Sequence, residues 1–239
     1  MLDWSCEDKE LLTPVLKSVS EALTEKNINV PQEITLIKTD GRDEWNSAYT
    51  RGSSIFLPPK KLAYDRDKLA RLIIHEVFHV LFRLREEVQK PLFNLIGFRM
   101  TNEIDLPECF KERKLTNPDG PPINSRFEFK HNGGLISAAP VILLKPGCST
   151  VNSTKDILSS ISIKMMVLEE KNGMWQPKLE NNQPTFIEPT SISKLVESVG
   201  NDFAASPDPN EILAEAFVKM VFGEQDDKID IARLQSILC

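Results

Sequence analysis

A long segment without glycine or proline, from Asp67 to Glu87, constrains the fold of this chain more than any other feature. Apolar residues lie on nearly all of its sides, so it predicts a buried helix that is capped by an Asp. His75 and His79 lie four residues apart in the middle of this helix, and Glu76 lies between them. Such spacing lets two imidazoles bind one tetrahedral ion while the carboxylate points at a water on that ion. Because buried imidazoles and carboxylates need a partner, the sequence predicts a zinc site here rather than a chance match.

A catalytic zinc site needs a third protein ligand and one open position. Residues 210–217 place Glu211 and Glu215 one helical turn apart, so one carboxylate can bind the ion while the other holds a histidine by its free ring N–H. Either carboxylate could be the ligand, and the spacing alone leaves that choice open. A capping box that begins at Asp208 would explain Glu211 without any metal. Three further acids stay open as ligands, although no helical motif supports them: Glu103, Glu108 and Glu188.

The two motifs together resemble a known family. His75-Glu76-Val77-Phe78-His79, followed by Asn210-Glu211-x-x-x-Glu215-x-Phe217, is similar to the gluzincin metallopeptidases, in particular to the thermolysin-like pair of helices with HExxH and Asn-Glu-x-x-x-Asp-x-Phe. The resemblance covers two short helices. It implies one zinc ion per chain, bound by His75, His79 and Glu211, with Glu76 as the general base. It also implies that Glu215 stands where the aspartate of the family orients the first histidine.

The resemblance implies a function as well, namely a zinc-dependent endopeptidase that hydrolyses bonds of a peptide or protein substrate. The chain departs from the family in the longer side chain of Glu215, in the long interval between the motifs and in having no histidine after Glu211. The missing histidine favours an alternative, a zincin-fold binding or structural protein without proteolytic turnover.

The run of residues 47–57 predicts a strand that is interrupted at Gly52. In zincins the strand at this place is an edge strand that binds an extended substrate, and the resemblance gives this role to Ala48, Tyr49 and Thr50. An ordinary core strand is the alternative.

In thermolysin-like enzymes, a histidine downstream of the third ligand stabilises the oxyanion that forms during hydrolysis. Because no histidine follows Glu211, the resemblance implies that another group does this here. Tyr49 and His131 are the candidates that we carry forward. Tyr64 and Arg126 also have suitable side chains, and distance along the chain does not choose among the four.

The pattern of elements predicts an α+β fold. The resemblance further implies a two-lobed zincin-like fold, in which a mixed β-sheet and the helix that carries His75 and His79 lie above a helical lobe. We expect three parts: an N-terminal sub-domain of residues 1–100, a proline-rich insertion of residues 101–189 with short strands and a hairpin, and a helical sub-domain of residues 190–239 that supplies the third ligand. The hairpin turn is predicted at Asn172-Gly173. Further helices are expected at residues 8–25, 91–98, 190–200, 209–223 and 227–238.

The net charge is -6 and the pI about 5.3, which disfavours nucleic acid as a partner. No apolar stretch approaches the length that spans a bilayer, so we expect no membrane span. The acidic N-terminus lacks the pattern of a secretory signal, and the four cysteines form no CxxC pair. We therefore expect a cytoplasmic monomer, with leaderless secretion to act on a protein of another cell as the alternative.

Overall fold

The computed structural model describes residues 1–115, 119, 122–131, 133–146 and 159–239, without the side chains of residues 109 and 202. In chain order the elements are α1 (Cys6–Glu25), β1 (Thr35–Lys38), β2 (Tyr49–Arg51), β3 (Ser54–Leu57), α2 (Pro59–Leu62), α3 (Arg66–Leu84), α4 (Glu86–Leu95), β4 (Phe98–Met100), α5 (Glu108–Lys111), β5 (Lys114–Leu115), β6 (Ser125–His131), β7 (Gly134–Leu144), β8 (Ile161–Lys171), β9 (Met174–Pro177), β10 (Leu179–Glu180), β11 (Gln183–Pro184), β12 (Phe186–Ile187), a 3-10 turn (Pro189–Ser191), α6 (Ser193–Ala205), α7 (Pro209–Val221) and α8 (Ile231–Leu238). The fold is therefore α+β.

The chain forms two compact units, one of Met1–Gln89 with Leu213–Cys239 and one of Lys90–Ile212. The two boundaries fall inside α4 and α7, and both helices continue through them. These units differ from the three parts that we expected from the sequence. The C-terminal helices of residues 190–239 do not form a unit of their own, because α6 belongs to the second unit whereas α7 and α8 lie mainly in the first.

In the first unit, α1 begins at the cap Ser5, whose hydroxyl accepts the backbone N–H of Asp8 while the Asp8 carboxylate accepts that of Ser5. The helix predicted for residues 8–25 is confirmed. Its buried side chains recur at spacings of three and four: Leu12, Val15, Val19 and Leu23. The unit also contains a three-stranded sheet in the order β1-β3-β2, in which β3 runs parallel to β1 and antiparallel to β2. The strand predicted for residues 47–57 is confirmed as β2 and β3, joined by a turn at Gly52, where φ is 58°.

The helix predicted to begin at Pro91 begins earlier, at Glu86, and ends at Leu95. Arg85 adopts non-helical dihedral angles (φ -113°, ψ 77°) and separates α3 from α4. Pro91 then lies inside α4, where it removes one hydrogen bond to the carbonyl of Glu87. Glu87 is exposed in the first turn, so water can satisfy that carbonyl.

The second unit is organised around an antiparallel sheet in the order β12-β8-β7-β6-β4, with β5 paired to β7 and β9 to β8. Side chains from one face of β7 and β8 form a buried cluster with two residues that follow β4: Ala139, Val141, Leu143, Met166 and Leu168 with Ile104 and Leu106. The predicted hairpin is confirmed, since Asn172 and Gly173 have φ of 53° and 76° between β8 and β9. We expected only short strands in this region, but β7 and β8 each have 11 residues.

Pro140 lies inside the long strand β7, although this proline-rich region was expected to contain only short strands. Pro140 pairs with Met165 of β8, whereas the ladder with β6 ends at Ala138 and that with β5 starts at Ile142. Pro140 has no backbone N–H, and on the side of β7 that faces β6 and β5 no described strand pairs with it, so the strand continues through the proline. Among the described residues, no helix is both long and apolar enough to cross a membrane.

Candidate metal centre

Asp65 is the N-cap of helix α3, and its carboxylate accepts the N–H of Lys68 at 2.8 Å. Most of its length is buried, as its apolar pattern predicted. Glu76 and His79 lie within this apolar surrounding, with exposed fractions of only 3% and 2%. Ionisable side chains this deeply buried require specific partners.

The two motif histidines turn their rings toward each other. Their Nε2 atoms are 3.1 Å apart, and the ring centroids are 4.8 Å apart at an interplanar angle of 69°. Two nitrogens on a tetrahedral zinc ion, with bonds of about 2.0 Å, lie about 3.3 Å from each other. The spacing of the two nitrogens is thus close to that of two ligands of one ion.

Helix α7 carries the acidic pair. It follows Asp208, whose carboxylate accepts the N–H of Asn210 at 2.9 Å, as the capping interpretation predicted for that residue. One turn further on, Glu215 Oε1 lies 3.1 Å from His75 Nδ1. An ionised carboxylate accepts a hydrogen bond from Nδ1–H, and in the neutral ring this arrangement leaves the Nε2 lone pair for a metal.

Glu211 lies with the two histidines. One ligand atom from each of His75, His79 and Glu211 falls within 4.8 Å of the other two, and these residues could hold a metal ion. Two imidazoles and a carboxylate are a donor set that suits zinc and leaves one of four positions open. The donor set present therefore fits the predicted cofactor, and it includes Glu211 rather than Glu215, which lies beside His75 Nδ1.

Aromatic packing joins the two helices that carry these residues within the first unit. The rings of Phe78 on α3 and Phe217 on α7 are fully buried, with centroids 5.5 Å apart. Beyond the end of α7, Glu224 forms an ion pair with Arg71 of α3, and the Arg71 guanidinium lies 4.3 Å from the centroid of the Phe222 ring. These contacts hold α3 and α7 together, and the geometry of any metal site on the two helices would depend on them.

Two arginines of α3 were missed by the sequence interpretation. Arg83 donates to the carbonyl of Gly52 at 3.1 Å and to Oγ1 of Thr50 at 3.0 Å, and so links β2 and its turn to α3. Positions 71, 75, 79 and 83 follow one another at intervals of four and form a single row along α3. That spacing is the signal that would have pointed to both arginines.

The predicted substrate strand β2 lies at the edge of its sheet among the described strands. Ala48, Tyr49 and Thr50 are all buried. The ring of Tyr49 stacks on Phe56 with centroids 4.6 Å apart, and its hydroxyl donates to Asp43. Burial, together with the Asp43 carboxylate, raises the pKa of Tyr49 well above its usual range. The phenol proton that an oxyanion would need is therefore engaged by Asp43.

The other oxyanion candidates have local partners of their own. His131 is exposed at the end of β6, and its ring centroid is 6.3 Å from that of Phe129. The Tyr64 hydroxyl accepts a hydrogen bond from Lys61, which lowers the pKa of Tyr64. Arg126 pairs with Glu128, donates to Ser137 and stacks on Trp175.

The alternative acids lie elsewhere. Glu108 pairs with Lys111 at 3.0 Å, and Glu188 pairs with Lys164. Glu103 is exposed. Among the described residues, the group that could hold a metal does not include any of these three.

Comparison of the chain with protein-family models, with curated proteins and with solved structures gives no match. The function has to be inferred from the residues of the site and from their geometry.

Proposed function

We propose that the protein is a zinc-dependent endopeptidase with a zincin-like arrangement, in which His75, His79 and Glu211 bind one zinc ion. The observation that carries this proposal is the convergence of three ligand atoms within 4.8 Å, together with Glu215 at 3.1 Å from His75 Nδ1. An acceptor beside Nδ1 supports the proposal, because zinc-binding histidines commonly donate their second ring N–H to a carboxylate that orients the ring.

Zinc in this site would supply Lewis acidity toward the scissile carbonyl and would lower the pKa of a water to about 7. Glu76 is the base in this proposal. It follows His75 directly along α3 and is 3% exposed, so bulk water does not compete for its carboxylate. It takes a proton from the attacking water and delivers it to the leaving amine as the peptide bond breaks.

Glu215 and β2 prepare the reaction without entering it. Glu215 holds the His75 ring in one orientation through Nδ1–H. Strand β2 lies at the edge of its sheet among the described strands, and an extended peptide would bind along that edge as an additional strand. A substrate with an unfolded or extended segment is therefore expected.

The experiment combines metal content with turnover. Zinc per chain is measured by elemental mass spectrometry in the wild type, His75→Ala, Glu211→Ala and Glu76→Gln, and hydrolysis of dye-labelled unfolded casein is measured in the same samples. We expect one zinc per chain in the wild type and in Glu76→Gln, with loss of zinc from the other two. Glu76→Gln should lose at least about a hundredfold in rate, as expected for removal of a general base.

The third histidine provides the matched control, because His131→Ala removes an exposed imidazole and should keep both zinc and activity. Zinc retained by His75→Ala, or hydrolysis that survives in Glu76→Gln, would contradict the proposal. Zinc binding without any hydrolysis by the wild type would favour the alternative, a binding protein that uses the same metal site.

A further inference from the structure

An apolar pocket lies within the first unit, between α1, β1, β3 and α3. Leu36 of β1 pairs directly with Ile55 of β3, and both line the pocket. Ile73 and Val77 line it from α3, where they lie one turn apart. Helix α1 contributes a stripe of lining residues at spacings of three and four: Leu16, Val19, Ser20, Leu23 and Thr24. Aliphatic side chains from two helices and two strands therefore surround one space.

The pocket extends from the interior of the unit to its surface. Ile55 and Ile73 have exposed fractions of 0% and 1%, whereas Val30 is 36% exposed and Gln32 is exposed as well. The volume is about 330 Å³. A cavity of about 150 Å³ accepts a benzene ring, so a pocket of more than twice that size can hold about a dozen non-hydrogen atoms. Its depth suits an unbranched chain that enters from the surface.

The lining also indicates the chemistry of a ligand. None of the described residues that line the pocket is charged or aromatic. An ionised group inside it would lose its hydration without gaining a counter-charge, whereas an aliphatic chain would displace water from apolar walls. The polar side chains of the lining are exposed: Ser20, Thr24 and Gln32. The Thr24 hydroxyl donates to the carbonyl of Ser20 at 2.8 Å, and its oxygen can still accept a hydrogen bond from a ligand hydroxyl at the mouth.

The pocket is separate from the proposed zinc site. Ile73 and Val77 each lie two positions from His75 along α3, and two positions correspond to about 200° of rotation around the helix axis. The pocket therefore adjoins the side of α3 opposite to His75. A ligand bound there does not occupy the place of the proposed peptide substrate.

We infer that this pocket, called here the α1–α3 pocket, binds an uncharged, unbranched aliphatic ligand with a hydroxyl group at one end. The inference goes beyond the proposed function and does not rest on it. Burial of the chain is the main source of affinity, and each further buried CH₂ group contributes about 0.8 kcal/mol, which corresponds to about a fourfold tighter Kd.

The test uses the full chain, labelled with ¹³C at the isoleucine methyl groups, and simple alcohols as probes. Single Ile→Val substitutions assign the methyl signals in the NMR spectrum, and 1-hexanol and 1-octanol are titrated in turn. We expect the signals of Ile34, Ile55 and Ile73 to shift and those of Ile96 and Ile104 in the second unit to stay in place. 1-Octanol should bind about tenfold or more tightly than 1-hexanol, and octanoate at least about tenfold more weakly than 1-octanol.

Two variants fill the α1–α3 pocket, Val19→Phe and Val30→Trp, and both are made in case one of them folds poorly. Each should weaken the binding of 1-octanol by about tenfold or more, because the larger side chain displaces at least two CH₂ groups of the ligand. Ser18→Phe is the matched control, since Ser18 is exposed on α1 and does not line the pocket. It should leave the affinity unchanged.

Signals of Ile34, Ile55 and Ile73 that do not move up to the solubility limit of 1-octanol would overturn the inference. Shifts of equal size in both units, or an affinity that both filling variants leave unchanged, would show a general solvent effect and would overturn it too. Octanoate that binds as tightly as 1-octanol would overturn the assignment of an uncharged ligand. Localised shifts that both filling variants abolish and Ser18→Phe retains would support the α1–α3 pocket, whatever the zinc content or the peptidase activity of the chain.

Discussion

At the scale of single residues, Glu211 and Glu215 lie one helix turn apart, and we propose a different task for each carboxylate. Their spacing of four could be read from the sequence, because residues on one helix have a fixed relation. The partner of each could not be read, since Glu215 reaches His75 across a large interval of chain. Arg83 illustrates the same limit, because its partners Gly52 and Thr50 lie 31 and 33 residues away.

The contact between Glu215 and His75 Nδ1 leads to a prediction about affinity. Glu215→Ala removes the acceptor that orients the ring, so zinc affinity should fall by about 10- to 100-fold. Glu215→Gln keeps an acceptor oxygen and should lose less. Competition with a chromophoric zinc chelator measures both. Glu197→Ala is the control, because it removes an exposed acid on α6. Equal zinc affinity of Glu215→Ala and the wild type would contradict the orienting role of Glu215.

At the scale of elements, the sequence predicted those features that depend only on the backbone preferences of the residues concerned. The Asn172-Gly173 turn was predictable because both residues tolerate positive φ. The long strand β7 was not, because whether Pro140 is tolerated depends on which neighbouring strand ends beside it. The early start of α4 likewise depends on Arg85, whose non-helical conformation has no sequence signature.

Arg83 should contribute to the stability of the first unit because it joins β2 to α3. Arg83→Met removes two hydrogen bonds from a charged donor, and the free energy of unfolding should fall by about 1–3 kcal/mol. Urea denaturation measures the change. Arg66→Met removes an exposed arginine from the start of the same helix and should change stability by less than about 0.5 kcal/mol. Similar values for the two variants would show that the Arg83 contacts do not stabilise the fold.

The connection between α7 and α8 depends on Asp226, which accepts hydrogen bonds from Lys219, Lys228 and Ile229. Burial alone would raise the pKa of Asp226, but these hydrogen bonds outweigh it and lower the pKa below the ordinary value. The ionised carboxylate thus contributes stability above the unfolded-state pKa of about 4, and this contribution is lost as the pH falls through the lower folded-state pKa.

Asp226→Asn should therefore lower the free energy of unfolding at pH 7 by about 2 kcal/mol. The difference from the wild type should shrink below pH 4, where the wild-type carboxylate also takes up a proton. Urea denaturation at pH 7 and pH 3 gives both values. Asp227→Asn, at the exposed neighbouring position, is the control and should show little effect at either pH. A difference that stays constant down to pH 3 would rule out the charge as its cause.

At the scale of the whole molecule, the proposed zinc links folding to metal concentration. A ligand that binds only the folded state at a thousand times its Kd adds about 4 kcal/mol of stability. For a chain of this size, removal of the metal by a chelator should lower Tm by about 10 °C. Scanning calorimetry with and without chelator measures this shift. His75→Ala should show no shift, and a wild-type Tm that the chelator leaves unchanged would argue against a bound ion.

The row at positions 71, 75, 79 and 83 makes α3 sensitive to length. One residue inserted between His79 and Arg83 would rotate the arginine by about 100° around the helix axis and advance it by about 1.5 Å. The histidines would keep their spacing, yet Arg83 would no longer face Gly52 and Thr50. A single codon inserted there would separate the proposed metal binding from the anchoring of β2, whereas an insertion between His75 and His79 would disrupt the proposed pair of ligands itself.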